Sequence, residues 1–279
     1  MAIRRIARRV PSRRLVRLAV LLALAAVTLF PLAWIVTGSL KPLEQVFAIP
    51  VQWVPDPIQP QNYPDAIQAT DFSRPLLNSV IVTSSQVAIN LVLCSLAGFG
   101  FAKYRFRGRE QLFLGVLAMT LLPLQVIMIP LFLIVKGLGW VNTYQGLILP
   151  TAASAFGVFF MRQYISTIPS DYVDAARVDG ASELTIFRKV VIPQCIPALV
   201  TLGVMVGLSS WDEFLWPLIV VGGRELATAP LAMAQLRSLY QTPFHFILAV
   251  AVVMVIPPLL AFLFAQRQII QSVSQTGIK

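Results

Sequence analysis

The residues with the most chemistry to offer lie between Pro169 and Pro193. This stretch holds four acids, Asp171, Asp174, Asp179 and Glu183, and three bases, Arg177, Arg188 and Lys189. Strongly apolar segments flank it on both sides. Carboxylates and guanidinium groups so placed can pair with each other or with opposite charges on a partner. They do not form a catalytic set. The single histidine, His245, falls at the end of an apolar segment, which gives Ser/His/Asp or Cys/His catalysis little support. Cys94 and Cys195 lie far apart without metal-ligand spacing, so neither a disulfide nor a metal site is expected. No G-x-x-x-x-G-K-[ST] sequence occurs, and the chain has no room for a nucleotide-binding domain.

Local rules predict a helix–glycine–helix hairpin here. Ser170 is expected to cap the first helix after Pro169, with Asp171 and Asp174 near its start, where acids suit the helix dipole. Tyr172, Val173, Ala175, Ala176 and Val178 give that helix an apolar, small-residue surface. Gly180 suits the left-handed position that ends a helix. Ser182 is expected to cap the second helix, where Leu184, Phe187, Val190 and Val191 follow helical spacing and Pro193 is the expected stop. Two readings fit these residues. One is a docking element, with Ala175 and Ala176 allowing close approach and Asp174 and Asp179 addressing bases on the partner. The other is a solvated loop whose charges keep it out of a bilayer.

The rest of the chain tells where such an element is held. Of 279 residues, 57% are hydrophobic and only 12% charged, against about 25% charged in soluble domains. Several stretches are long and apolar enough to cross a bilayer, which takes about 20 residues. The expected fold class is all-α, a polytopic membrane protein with six transmembrane helices at 15–37, 76–101, 111–135, 146–165, 197–221 and 244–265. Seventeen of the 22 Lys and Arg residues then fall in segments 1–17, 102–110, 162–196 and 266–279, and five on the other side. The positive-inside rule puts both termini in the cytoplasm. It also explains most of the net charge of +10, so no nucleic-acid partner is needed. The expected organisation is a basic N-terminus, 1–17, and one transmembrane domain, 15–279. That domain includes an extracytoplasmic loop at 38–75, the polar hairpin at 169–193 and a tail at 266–279. The apolar stretch after the N-terminal arginines exceeds a typical signal core, so it is read as an uncleaved first span.

A second constellation lies in the fifth expected span: Trp211, Asp212, Glu213 and Trp216. Charges inside a span are costly and usually mark a pathway or a buried pair. Asp212 falls about 22 Å from the inner end of that span, in the outer half. Aromatic faces beside carboxylates suit a sugar, whose C–H groups stack on rings and whose hydroxyls donate to acids. Packing against a partner, with the acids beside an outer gate, is the other reading. Gln86 and Gln125, in or near spans, could face the same path or bond between helices.

The motifs also carry a resemblance. Asp174-Ala-Ala-Arg-Val-Asp-Gly-Ala181, followed by Phe187 and Ile192-Pro193, resembles the E-A-A…D-G-A…P loop of ABC importer permeases, with Asp174 in place of the usual Glu. Trp211-Asp-Glu-Phe-Leu-Trp-Pro217 resembles the W-N-[DE]-F-x-x-P stretch of the carbohydrate-uptake branch. Leu138-Gly-Trp-Val-Asn-Thr-Tyr-Gln-Gly-Leu-Ile-Leu-Pro150 resembles that branch's turn before the fourth span, and Asn78-Ser79 fits as well. The nearest style is the smaller permease of maltose-type importers. The tail Gln271-Ser-Val-Ser-Gln-Thr-Gly-Ile-Lys279 departs from that branch's Gly-rich ending.

The resemblance implies a type I ABC importer permease fold in a bacterial inner membrane. It implies ATPase coupling through Asp174, Ala175, Ala176, Asp179, Gly180, Ala181, Phe187 and Pro193. It makes Trp211, Asp212, Glu213, Trp216, Asn78, Gln86 and Gln125 candidates for the solute path or gate. The implied partners are a homologous permease, two cytoplasmic ATPase subunits, an extracytoplasmic solute-binding protein and a carbohydrate solute. ATP and Mg would sit on the ATPase, so this chain would be no enzyme and hold no cofactor. The branch also includes polyol-phosphate carriers. An ion-coupled secondary transporter would show internal repeats or a coupling-ion site, and would leave the hairpin unexplained.

Overall fold

A computed structural model describes residues 12–238 and 243–276. The expected basic N-terminus falls largely outside these residues, as do the last three residues of the tail. Every regular element among the described residues is helical. In chain order they are α1 (Ser12–Ser39), α2 (Leu43–Val46), α3 (Asn62–Thr70), α4 (Ser73–Lys103), α5 (Arg109–Met119), α6 (Leu124–Gly137) and α7 (Tyr144–Ile148). A 3-10 turn (Leu149–Thr151) leads to α8 (Ala155–Ser166), α9 (Ser170–Val178) and α10 (Glu183–Ile186). A π turn (Phe187–Val191) leads to α11 (Ile192–Gln194), α12 (Ile196–Trp211), α13 (Leu215–Val220), α14 (Ala229–Ser238) and α15 (Phe244–Thr276).

The described residues form two compact units, one from 12–69 and 243–252, the other from 70–238 and 253–276. In the first, α1 carries leucine, valine and phenylalanine outward along most of its length, as a helix solvated by lipid does. Its end is tied down: Asn62 Nδ2 donates to the carbonyls of Ser39 and Lys41 at 2.8 and 3.0 Å. Trp34 and Trp53 meet edge to face at 5.5 Å, and the Lys41 ammonium lies 4.8 Å from the Trp34 ring centre. The segment 38–75, expected as a loop, thus contains the short helices α2 and α3.

In the second unit α4 is the central post, packed against α8 and α12. Gly98 makes the α4–α8 crossing possible, because a Cβ there would lie 2.7 Å from Met161 Cβ and 2.9 Å from the Arg162 amide nitrogen. The core between these helices contains Cys94, Phe99, Met161, Ile165, Ala198 and Leu202, and it continues without a break into Val173, Ile186, Phe187 and Val191 of the polar stretch.

Length and composition give three straight membrane-crossing candidates, Arg14–Ser39, Ser73–Lys103 and Phe244–Gln268, and three more if each bent helix pair counts as one crossing. Two of these bends, after Met119 and after Thr151, fall within spans that hydropathy leaves undivided. Arg109–Met119 and Leu124–Gly137 meet at 99°. Pro123 there holds extended backbone (φ −66°, ψ 141°) before α6, as proline favours outside helix interiors. The expected fifth span is interrupted too: α12 ends at Trp211 and α13 begins at Leu215. Pro193 does not end the second hairpin helix. The helix widens into the π turn at Phe187–Val191, runs through Pro193 to Gln194, and then bends by 81° into α12. The wide turn accommodates the ring and missing N–H of Pro193.

Candidate functional site

The polar stretch folds as the predicted hairpin. Pro169, not Ser170, occupies the cap position of α9, and no side chain caps it. At the apex the Ala181 amide donates to Ala176 O and the Gly180 amide to Arg177 O, both at 3.0 Å. This is a Schellman ending, and it needs Gly180 at φ +79°. Ser182 Oγ then caps α10 by accepting from the Thr185 amide at 3.4 Å.

The two faces of the hairpin differ sharply. Val173, Ile186, Phe187 and Val191 are buried in the α4–α8–α12 core. The Phe187 ring stands 5.5 Å from Phe99. Each fully buried side chain of this kind contributes about 1.5–3 kcal/mol outside the bilayer. On the other face Asp174, Ala175, Asp179 and Gly180 are exposed. Val178 is 88% exposed, with Tyr172 and Leu184 also well exposed. Ala176 and Ala181 are half-buried, and Pro193 is exposed on α11.

A charged clasp fixes the apex. Arg177 Nε donates to Glu183 Oε1 at 2.8 Å and Nη2 to Oε2 at 3.3 Å, while Nη1 reaches Asp174 Oδ1 at 3.1 Å. Tyr104, just past α4, donates its hydroxyl to Glu183 Oε2. The guanidinium lies 5.5 Å from the Tyr104 ring centre. The Arg177 bonds, then the Tyr104 bond, hold the Glu183 carboxyl below its ordinary range. Lys103 Nζ adds a bond to Ile168 O. Sequence reasoning paired no acid of the hairpin with Tyr104, which lies 79 residues earlier. An aromatic hydroxyl at the end of a span was the only signal.

Both tryptophans of the second constellation are buried. Trp216 is 1% exposed and donates Nε1–H to Gly146 O at 3.0 Å. Trp211 is 5% exposed and donates to Met254 O at 3.2 Å. Trp216 offers no open stacking face, and Trp211 shows only a small part of its ring, to an apolar groove along α4, α12 and α15. Asp212 and Glu213 sit in the break between α12 and α13, not within a helix. Asp212 is exposed. Glu213 Oε1 accepts from the Trp216 amide at 3.1 Å and so caps α13.

Asn78 is fully engaged. Its Nδ2 donates to Glu225 O and Ala227 O at 2.9 Å, and its Oδ1 accepts from Tyr144 OH at 2.7 Å. Ser79 Oγ accepts from the Ala229 amide at 2.8 Å. These bonds tie α4 to α7 and to the start of α14. Gln86 bridges helices, donating to Leu147 O at 3.1 Å and Thr151 Oγ1 at 2.8 Å. Gln125 is exposed in the first turn of α6 and does not join this group. Gln86 and Glu213 line a common cavity with Asn90, Thr151, Ser154 and Ser209, four residues that sequence reasoning missed because they carry no charge.

Residues 90–275 match the family described as "Binding-protein-dependent transport system inner membrane component". The arabinooligosaccharides transport system permease protein AraQ of Bacillus subtilis (strain 168) is 33% identical over 259 residues, 92% of each chain. The lactose transport system permease protein LacG of Rhizobium radiobacter is 31% identical over 264 residues, 95% of each chain. Among solved structures, a bacterial ABC transporter involved in import of the acidic polysaccharide alginate matches in fold. Its TM-score is 0.83 at 24% identity, covering 93% of this chain and 98% of that one.

Proposed function

This chain belongs to the family of binding-protein-dependent transport system inner membrane components, and from that premise we propose how it works. It is a transmembrane permease subunit of an ABC importer for a carbohydrate, and it forms half of a translocation pathway. It spans the membrane six times with both termini in the cytoplasm, where residues 169–193 face a cytoplasmic ATPase. A homologous permease supplies the other half, two ATPase subunits bind ATP and Mg, and an extracytoplasmic binding protein delivers the solute.

The observation that carries this reading is the two-faced hairpin. A loop that merely turned round in solvent would not share a core with α4, α8 and α12. A docking lever needs both properties seen here: an inner face continuous with the membrane helices, and an outer face that leaves Val178 and Ala175 uncovered. In this reading the ATPase covers Ala175, Val178 and Gly180, and Asp174 and Asp179 meet its bases. When the ATPase pair closes, force enters at the apex. It passes through Val173, Ile186 and Phe187 into Phe99 and α4. The Arg177–Glu183–Tyr104 clasp keeps the apex rigid enough to transmit it. Hydrolysis takes place on the partner.

The test is reconstitution with the neighbouring subunits in liposomes. ATP hydrolysis and uptake are measured with the binding protein and neutral sugars, with Gly180→Pro in parallel. Proline fixes φ near −65° and cannot form the turn at +79°. The expected result is sugar-dependent hydrolysis that the variant loses while still assembling. Uptake driven by an ion gradient without ATP would sink the reading.

A further inference from the structure

A cavity of about 380 Å³ lies between α4, the turn before α8 and α12. Small-molecule sites span about 300–1,000 Å³. Its polar lining comprises Gln86, Asn90, Thr151, Ser154, Ser209 and Glu213 with Ser210, and its carbon lining includes Leu202, Met205 and Val206. The amide of Gln86 is already committed to Leu147 O and Thr151 Oγ1, so it shapes the wall. Asn90 is different. It is 1% exposed, and its Oδ1 has no hydrogen-bond partner. Buried acceptors are rarely left so. Glu213 uses Oε1 to cap α13, and among the described residues Oε2 has no donor. The cavity therefore presents the second carboxylate oxygen of Glu213 beside a patch of carbon, with the unpaired Asn90 Oδ1 buried in its wall against Gly157.

Its electrostatics narrow the ligand further. Among the described residues one carboxylate lines it, and no Lys, Arg or His does. An anionic solute entering this space would meet a like charge with nothing to offset it or its lost hydration. A neutral solute rich in hydroxyl groups supplies what is missing: an O–H donor for Glu213, hydroxyls against the Asn90 amide, and C–H faces for Leu202, Met205 and Val206. A larger groove of about 650 Å³ along α4, α12 and α15 is lined almost wholly by carbon and offers such a solute little.

We infer that this subunit carries its own binding station for a neutral polyhydroxylated solute, centred on Asn90 and Glu213, which passes over phosphorylated or acidic ones. The inference rests on the import reading and can fail without it.

The test uses Ser209→Cys in the complete reconstituted importer. The two native cysteines are buried, so a small hydrophilic methanethiosulfonate reports on position 209. Trehalose, lactose and arabinotriose are added at millimolar concentration, with sn-glycerol 3-phosphate as the anionic probe. The station predicts at least threefold slower labelling with one or more neutral sugars and no change with the phosphate. Labelling that no sugar slows, or that the phosphate slows equally, overturns it. If ATP-driven sugar uptake persists in that case, the import reading stands and only the station falls.

Asn90→Leu gives a second readout. It removes an unpaired buried acceptor for a side chain of similar size. The station predicts an uptake KM at least tenfold higher, with melting temperature unchanged or raised. A lower melting temperature with an unchanged KM assigns Asn90 to packing alone and overturns its role.

Discussion

Replacing Glu183 with glutamine separates the two forces that hold the hairpin. The substitution keeps size and removes the charge that Arg177 and Tyr104 share. The Arg177 and Glu183 side chains are 36% and 47% exposed, so solvent screens the pair. Such pairs contribute about 0.2–1 kcal/mol. With bidentate geometry and the tyrosine bond, the whole clasp is worth about 1–2 kcal/mol. The buried face is larger: Val173, Ile186 and Val191 are each at most 1% exposed and together contribute about 5–9 kcal/mol as an upper figure. The core therefore anchors the hairpin, and the clasp only fixes its apex. A loss of about 1–2 kcal/mol raises local opening about 5- to 30-fold. Hydrogen exchange in lipid nanodiscs should show that increase at the amides of Asp179, Gly180 and Ala181, with Cys195 unchanged. Sugar-stimulated hydrolysis should fall severalfold while the complex stays assembled. Uniform acceleration across the hairpin, or none, would refute the division between clasp and core.

The clasp should also respond to pH with a definite sign. Glu183 is held below its ordinary value when folded, so its contribution is complete above about pH 4.3 and disappears as pH falls through the depressed value. Apex exchange, corrected for intrinsic rates, should be flat from pH 6 to 8 and rise in acid; a rise between pH 6 and 8 points to another group. Gly146→Ala should destabilise the protein by about 1–3 kcal/mol or more, because the new Cβ would lie 2.2 Å from Trp140 O; an unchanged melting temperature in detergent contradicts this packing. Trp216→Phe should cost about 1–3 kcal/mol by leaving Gly146 O without its indole donor. The same melting assay checks it, and a neutral result means another donor reaches that carbonyl.

Local chemistry made the hairpin legible. Gly180 and Ser182 obey short-range rules, and the structure puts the turn and the cap where those rules place them; of the expected apolar face Phe187 and Val191 are buried, while Leu184 is exposed. What spacing could not show was how that face is used. Val173 and Phe187 fit a docking element or a solvated loop equally until Phe99 and Ile165, far away in sequence, are seen to cover them. The helix breaks were hidden because hydropathy averages over them. Asp212 and Glu213 looked like charges within a span. They are instead a break, and Glu213 meets the exposed amide of α13. By type alone the tryptophans fit either a sugar platform or a packed face; their N–H groups bind Gly146 and Met254 carbonyls that only the fold brings near. Asn90, Thr151 and Ser209 passed unnoticed because uncharged polar residues are common between packed helices, and only a shared cavity distinguishes them.

In the proposed importer an ATPase covers the outer face of the hairpin. A photoreactive amino acid placed at Val178, which is 88% exposed, tests this in membranes containing the full set of subunits. The expected result is a crosslink from residue 178 to the ATPase subunit whose yield changes when ATP is added. A residue that stays uncrosslinked in a complex that hydrolyses ATP and imports sugar would contradict it.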